Sequence, residues 1–165
     1  MVLVELLNAL RLSRIALHAR TGKQQYKGHP DLEAFQGFYE LCQHPLYYNG
    51  GIESLSDIRQ ILIRFPLLKG VFIGRGLLSS PLLAKEFKGN ETFLPEQRMS
   101  IYFAFHEELF SAYSQVLQGE TQLLVKMKTL WEYFLPETDR KLLKRIKKST
   151  RLQQYTESVK AIFTS

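Results

Sequence analysis

Apolar residues in the first half of the chain come in short runs closed by turn-forming or charged residues. Ile15-Ala16-Leu17, Leu46-Tyr47-Tyr48 and Val71-Phe72-Ile73 are each bounded by Gly, Pro, His, Asn or Arg. Runs of this kind predict strands buried on both faces, as in a parallel sheet. Between the first two, Asp31 to Gln43 places Leu32, Phe35, Tyr39 and Cys42 on one helical stripe. Between the second and third, Ser54 to Phe65 does the same with Leu55, Ile58, Ile61, Leu62 and Phe65. Ser54 with Asp57 three positions on predicts a capping box, in which a hydroxyl takes an orphan N–H and a carboxylate favours the positive helix start. Val2 to Leu12 reads as the tail of a further helix. The strands recur roughly every 30 residues, the size of a βαβ unit.

From Pro95 onward the period is helical throughout. Pro95 to Leu117 predicts a long helix whose broad apolar face carries Met99, Tyr102, Phe103, Phe105, His106, Leu109 and Phe110, with Gly119 as a stop. Leu123–Leu135, Glu137–Lys148 and Arg151–Phe163 predict three more helices, separated by Pro136 and Ser149-Thr150. Between the two textures, a short helix is expected near Pro81, then a linker at Lys88-Gly89-Asn90. The expected organisation is an α/β part over residues 1–88 and a small all-helical bundle over residues 92–165.

With 165 residues, 45% hydrophobic and 23% charged, the composition is that of one globular domain or two small ones, and no apolar run approaches a membrane span. The single cysteine, Cys42, excludes an internal disulfide and a cysteine-based zinc site. The N-terminus lacks the basic start of a secretory signal, so the expected compartment is the cytoplasm. The net charge of +6 is gathered: Arg140 to Arg151 carries seven basic residues and no acidic one. That run suits either a solvated helix face, with Leu142, Leu143 and Ile146 inward, or a footprint for a phosphate backbone, and charge alone does not separate the two.

Each strand run ends in polar or glycine residues: His18-Ala19-Arg20-Thr21, Asn49-Gly50-Gly51 and Gly74-Arg75-Gly76. In barrels and open parallel sheets that edge is where ligands bind. The second turn leads to Ser54 and the third to Ser79-Ser80-Pro81, both expected helix starts. Glycines admit an anion to the backbone and a guanidinium grips phosphate oxygens, so these turns predict a phosphate cradle. Cys42 falls on an apolar stripe and reads as core, while His29, His44 and His106 lack metal-ligand spacing. No nucleophilic triad or catalytic carboxylate pair is supported.

These motifs resemble the flavin-dependent tRNA-dihydrouridine synthases. HARTGKQQYKG (His18 to Gly28) is similar to that family's H-x-R-T-x-x-Q-x-Y-x-G segment, YNGGI (Tyr48 to Ile52) to its N-G-D-I strand end, and GVFIGRGLLSSP (Gly70 to Pro81) to its G-V-M-I-G-R-G-x-x-x-x-P segment. MKTLWEYF (Met127 to Phe134) is similar to part of its C-terminal RNA-binding helical domain. The resemblance implies that the strands are the sixth to eighth of a TIM barrel that binds FMN. By the same resemblance His18 would contact the flavin, Asn49, Gly50 and Gly51 would line its phosphate loop, and Gly74 and Arg75 would bind the phosphate. Arg20, Lys23, Gln25 and Tyr26 would lie toward tRNA, together with Lys144, Arg145, Lys147 and Lys148 of the basic helix. The implied reaction is reduction of a tRNA uridine, with NADPH as reductant, FMN delivering hydride to the uracil and a cysteine protonating it.

The sequence also departs from that pattern. A closed barrel takes about 250 residues, and only three of its eight strands are expected here. The family's acid cysteine and flavin-binding lysine belong to the absent strands, Cys42 lies on the wrong helix to replace the former, and Gly51 stands where an acidic residue is common. No catalytic residue is therefore assigned, and the chain is expected to be inactive alone. Three parallel strands with helices on one side would leave an exposed sheet edge and an uncovered apolar face, to be completed by the missing barrel half or by self-association through the edge. Two other readings stay open: an RNA-binding module without chemistry, and a fragment of another FMN-dependent barrel oxidoreductase.

Overall fold

The strands Ile15–His18 (β1), Leu46–Asn49 (β2) and Gly70–Phe72 (β3) pair in parallel in the order β1-β2-β3. This is a computed structural model that describes residues 2–24 and 27–164. The register sets Ile15 beside Leu46, Leu17 beside Tyr48, His18 beside Asn49 and Asn49 beside Phe72. Helices Leu32–Leu41 (α2) and Leu55–Arg64 (α3) join the strands, and Val2–Asn8 (α1) precedes them. They form where the pattern places them because their ends are capped: the Asp31 carboxylate accepts from Ala34 N at 2.9 Å, and Ser54 and Asp57 form the expected capping box. Phe35 from α2 meets Tyr48 and Phe65 edge-on, with ring centroids 4.9 and 5.0 Å apart, and Ile58 and Ile61 close the same core.

That core lies on one face of the sheet. The runs alone suggest burial on both faces, but, as expected for three strands with helices on one side, one face is left uncovered: Leu46 and Tyr48 are buried, while Ala16 and His18 are exposed and Phe72 keeps 46% of its surface. The reason is that α2 and α3 cover only the Leu46–Tyr48 face, while Tyr47 and Phe72 pack against each other on the other, with centroids 5.7 Å apart. Among the described residues β1 and β3 each pair with β2 alone. Cys42 is less interior than expected, a half-buried C-cap whose thiol points to the His44 carbonyl at 3.6 Å.

The chain divides into the compact units Met1–Leu77 and Leu78–Ser165, upstream of the linker expected at residues 88–90. A short helix that the sequence did not announce, Arg75–Ser79 (α4), starts directly after β3, and the helix expected near Pro81 follows it. Leu83–Gly89 (α5) then runs through Lys88 and Gly89 and is capped by Asn90 in the left-handed region at φ 48°. A buried Glu86 carboxylate ion-pairs with Arg98; a charge buried this deeply is tolerated only when paired, and the pair fastens α5 to Pro95–Val116 (α6).

In the second unit α6 packs with Glu120–Leu130 (α7), Arg140–Lys148 (α8) and Leu152–Phe163 (α9). α7 stops five residues before the expected Leu135, since Trp131 and Phe134 turn inward to the core and Leu135, at φ 49°, precedes Pro136, where helical backbone is disfavoured. α8 starts at Arg140, not Glu137, because Asp139 Oδ1 accepts from Lys141 N at 2.8 Å and Leu142 N at 3.2 Å.

A polar chain runs through this core. Trp131 Nε1 donates to the Tyr155 hydroxyl at 3.0 Å, and that hydroxyl lies 2.6 Å from His106 Nε2. His106 Nδ1 is 3.0 Å from the Glu107 carboxylate, which only accepts when ionised. Nδ1 therefore carries the proton, and Tyr155 donates to Nε2. Burial holds the imidazole below its ordinary pKa, an effect that Glu107 opposes, and burial pushes the Tyr155 phenol up. The unfolded chain binds a proton near pH 6.5 that the folded chain binds only at lower pH, so this site's contribution is complete above about 6.5 and falls as pH drops below it. Urea midpoints followed from about pH 8 to 5.5 should decline on the acid side, and less steeply in His106→Gln. Equal slopes in the two proteins would remove His106 from the account.

Candidate functional site

Parallel pairing without slip brings the three strand ends level. His18 and Asn49 sit side by side, and Ala19 N donates to the Asn49 carbonyl at 2.9 Å, so the turns after β1 and β2 start from a shared hydrogen bond. Gly51 is left-handed at φ 59°, and a Cβ there would come within 2.9 Å of Pro30 Cγ. The turn after β3 is seated still more closely: a Cβ on Gly76 would lie 2.4 Å from the Ile52 carbonyl oxygen. Only glycine lets α4 rest on the backbone of the β2 turn. Gly74, by contrast, has open space where a Cβ would stand. The Arg75 guanidinium, one-third exposed, lies 3.8 Å from Glu53.

The turns are neighbours, and among the described residues two separate clefts open beside them. Gly50 and Gly51 open with Tyr48, Asp57 and Arg64 on a cleft of about 380 Å³. His18 and Arg20 line another, of about 230 Å³, with Asp31 and Phe35; Gly74 and Arg75 line neither. Burial pushes the Tyr48 phenol up, against the pull of the Arg20 charge. Of the loop residues expected to face RNA, Lys23 is exposed, Arg20 is half-buried and donates from Nη2 to the Gly28 carbonyl at 3.0 Å, and Gln25 and Tyr26 lie outside the described residues.

In the second unit, Ile146 is wholly buried and so fixes which side of α8 faces out. Lys144, Arg145 and Lys148 line a groove of about 450 Å³ with Ser149, Gln154, Glu157 and Ser158 from the start of α9 and the turn before it. Lys141 belongs to the same groove and was missed from the sequence, although 141, 144, 145 and 148 share one helical face. Lys147 is exposed outside the groove. Lys128 of α7 was missed as well: its Nζ donates to the Ser149 carbonyl at 2.9 Å and pins the C-terminal end of α8, where a cation favours the helix dipole. Among the described residues no cluster of His, Cys, Asp or Glu is placed to hold a metal ion, and no helix is long and apolar enough to cross a membrane.

A glycine-lined strand edge and a cationic groove are found in many phosphate-binding proteins, and comparison with known sequences selects among them. The sequence model of the family described as Dihydrouridine synthase (Dus) matches residues 3–164. The chain belongs to the dihydrouridine synthase family. It is 34% identical over 86 residues to a probable tRNA-dihydrouridine synthase of Aquifex aeolicus (strain VF5), and 36% identical over 67 residues to one of Rhizobium leguminosarum bv. phaseoli. These matches cover 52% and 41% of this chain but only 27% and 21% of the relatives. The chain therefore aligns with about a quarter of each relative's length.

In this family member the seating of Gly76 on the β2 turn is a contact that holds two of the three turns together. Gly76→Ala should lower the thermal midpoint by the equivalent of about 1–3 kcal/mol, since the blocking atom is backbone and does not swing aside. A midpoint unchanged from the native chain would show that the turns are not so joined.

Proposed function

We propose that this chain is the C-terminal part of an FMN-dependent, NADPH-driven tRNA-dihydrouridine synthase of the cytoplasm, in which the strand edge holds the flavin and the α8–α9 groove holds tRNA. The family match and the printed names of the relatives support the reaction class. The observation that carries the site is the meeting at one sheet edge of His18, Asn49-Gly50-Gly51 and Gly74-Arg75-Gly76, on parallel strands read as the last three of a TIM barrel. We take residues 1–88 as the barrel part and 92–165 as the tRNA-binding part.

The residues present fit a flavin phosphate. Open space at Gly74 admits a bulky anion to the backbone, and Arg75, steadied by Glu53, offers a guanidinium beside it. Bound there, FMN would supply the hydride for the uracil double bond. His18, exposed at the end of β1, and Asn49 beside it would orient the ring. The other half of the chemistry is missing: Cys42, turned to the His44 carbonyl at the end of α2, is no proton donor to a base at the strand edge. We therefore assign this chain binding without turnover.

On the RNA side Lys141, Lys144, Arg145 and Lys148 act as a phosphate-binding strip, with Lys147 and Lys23 as outlying cations. A second reading, an RNA-binding module without flavin, draws on the fact that this groove lies wholly within the second unit. Four neutralised phosphates give a salt slope of roughly −3 in log affinity against log salt. Titration of the 165-residue chain with tRNA should give that slope, and reversing the four groove cations to Glu should weaken binding at least about tenfold. Quenching of flavin fluorescence by the native chain but not by Arg75→Ala would favour the first reading over the second. Formation of dihydrouridine by this chain alone, supplied with FMN and NADPH, would falsify the assignment of binding without turnover.

A further inference from the structure

From the contacts within the first unit we infer that Arg20 is a positioning residue, whose guanidinium ties the loop after β1 to the glycine turn after β2, and not a contact for RNA. The loop leaves β1 at Ala19 and returns to α2 at Asp31, whose N donates to the Ala19 carbonyl at 2.7 Å. Arg20 Nη2 donates to the Gly28 carbonyl at 3.0 Å, bracing the returning limb. The same Nη2 lies 3.6 Å from the point where a Cβ on Gly51 would stand, and Pro30 Cγ lies 2.9 Å from that point. One planar group thus bonds to the returning limb and lies beside the second turn.

The donors point the same way. Nε is buried and has no hydrogen-bond partner among the described residues. A guanidinium grips a phosphate side-on through Nε and one Nη or end-on through both Nη. Here the side-on edge is shut by the enclosed Nε, and on the end-on edge Nη2 is already bonded to the Gly28 carbonyl. Among the described residues no carboxylate lies within ion-pair distance of Arg20. The charge is instead felt by the Tyr48 phenol beneath the second turn. Lysine would keep the charge and one donor but not the flat fork that bonds to the one and lies beside the other. The inference rests on the proposed function only in naming the flavin as what the Gly50-Gly51 turn receives.

Amide hydrogen exchange on the 165-residue chain, without flavin or RNA, tests it with Arg20→Gln and Arg20→Lys. In Arg20→Gln, exchange at Gly28 to Asp31 and Gly50 to Ile52 should quicken at least about tenfold while α6 to α9 keep the native rates. Arg20→Lys should recover part of the protection. The Tyr48 phenol, followed by ultraviolet absorbance against a Tyr48→Phe blank, should titrate higher in Arg20→Gln and return in Arg20→Lys. The slope of tRNA affinity against salt should stay at the native value. Unchanged exchange in both variants overturns the inference whatever else happens, and so does a slope reduced by about one, the signature of a lost phosphate contact. Failure of the native chain to bind tRNA or FMN would sink the proposed function instead and leave the exchange result standing.

Discussion

Because the three strands pair in parallel and level, His18, Asn49 and Phe72 come out side by side at one end of the sheet, and the site depends on that register. A slip of one residue would send each of them to the opposite face and lift Leu46 and Tyr48 out of the core. The helices therefore secure the site indirectly: Phe35, Ile58, Ile61 and Phe65 hold Leu46 and Tyr48 down, and the polar residues one step further along each strand have no other place to go. The turns lock the arrangement from above. Ala19 bonds to Asn49, and Gly76 rests on the Ile52 carbonyl, so each turn is braced by its neighbour rather than by its own length.

The second unit reaches its charged surface by a different route. α8 has only three apolar residues, Leu142, Leu143 and Ile146, and only Ile146 is fully buried. That contact, with the Asp139 cap at one end and the Lys128–Ser149 bond at the other, sets the rotation of the helix. Lys141, Lys144, Arg145 and Lys148 then lie on the face that meets the start of α9, while Lys147 points away from it. The polar chain of Trp131, Tyr155 and His106 runs through the core behind it. Since each buried donor there has one acceptor, the chain fixes side-chain positions more narrowly than apolar packing would.

Much of this was legible in the sequence, and the failures have local causes. Ser54 and Asp57 announced α3, Pro95 announced α6, and the strands lay within a residue or so of their expected places, because capping and period are local properties. Burial was legible only in part: three strands with helices on one side announced an uncovered face, but the runs at Ile15, Leu46 and Val71 look doubly buried and did not say which of their residues would lie on it. α7 was drawn too long because Trp131 and Phe134 continue a helical stripe while the chain turns at Leu135. Lys141 was passed over although its spacing from Lys144, Arg145 and Lys148 was there to be counted, and Lys128 gave no signal, since only the fold brings it to the end of α8.

Arg20 and the α8 cations show why a charged residue inside a motif is a poor guide to what it touches. In the sequence, Arg20 sits two residues after His18 in the segment most characteristic of the family, whereas Lys141 sits in a run that reads equally well as a solvated face. In the fold the order reverses. The motif arginine has a buried Nε and spends Nη2 on the Gly28 carbonyl. The run of lysines has an apolar anchor beneath it and a groove in front of it. The difference follows from where each side chain starts: Arg20 leaves a turn boxed in by Gly28, Pro30 and Gly51, while the α8 cations leave a helix rotated by Ile146. A motif residue held this closely is positioned to serve the loop it belongs to, and the cations open to a polyanion are those the core has turned outward.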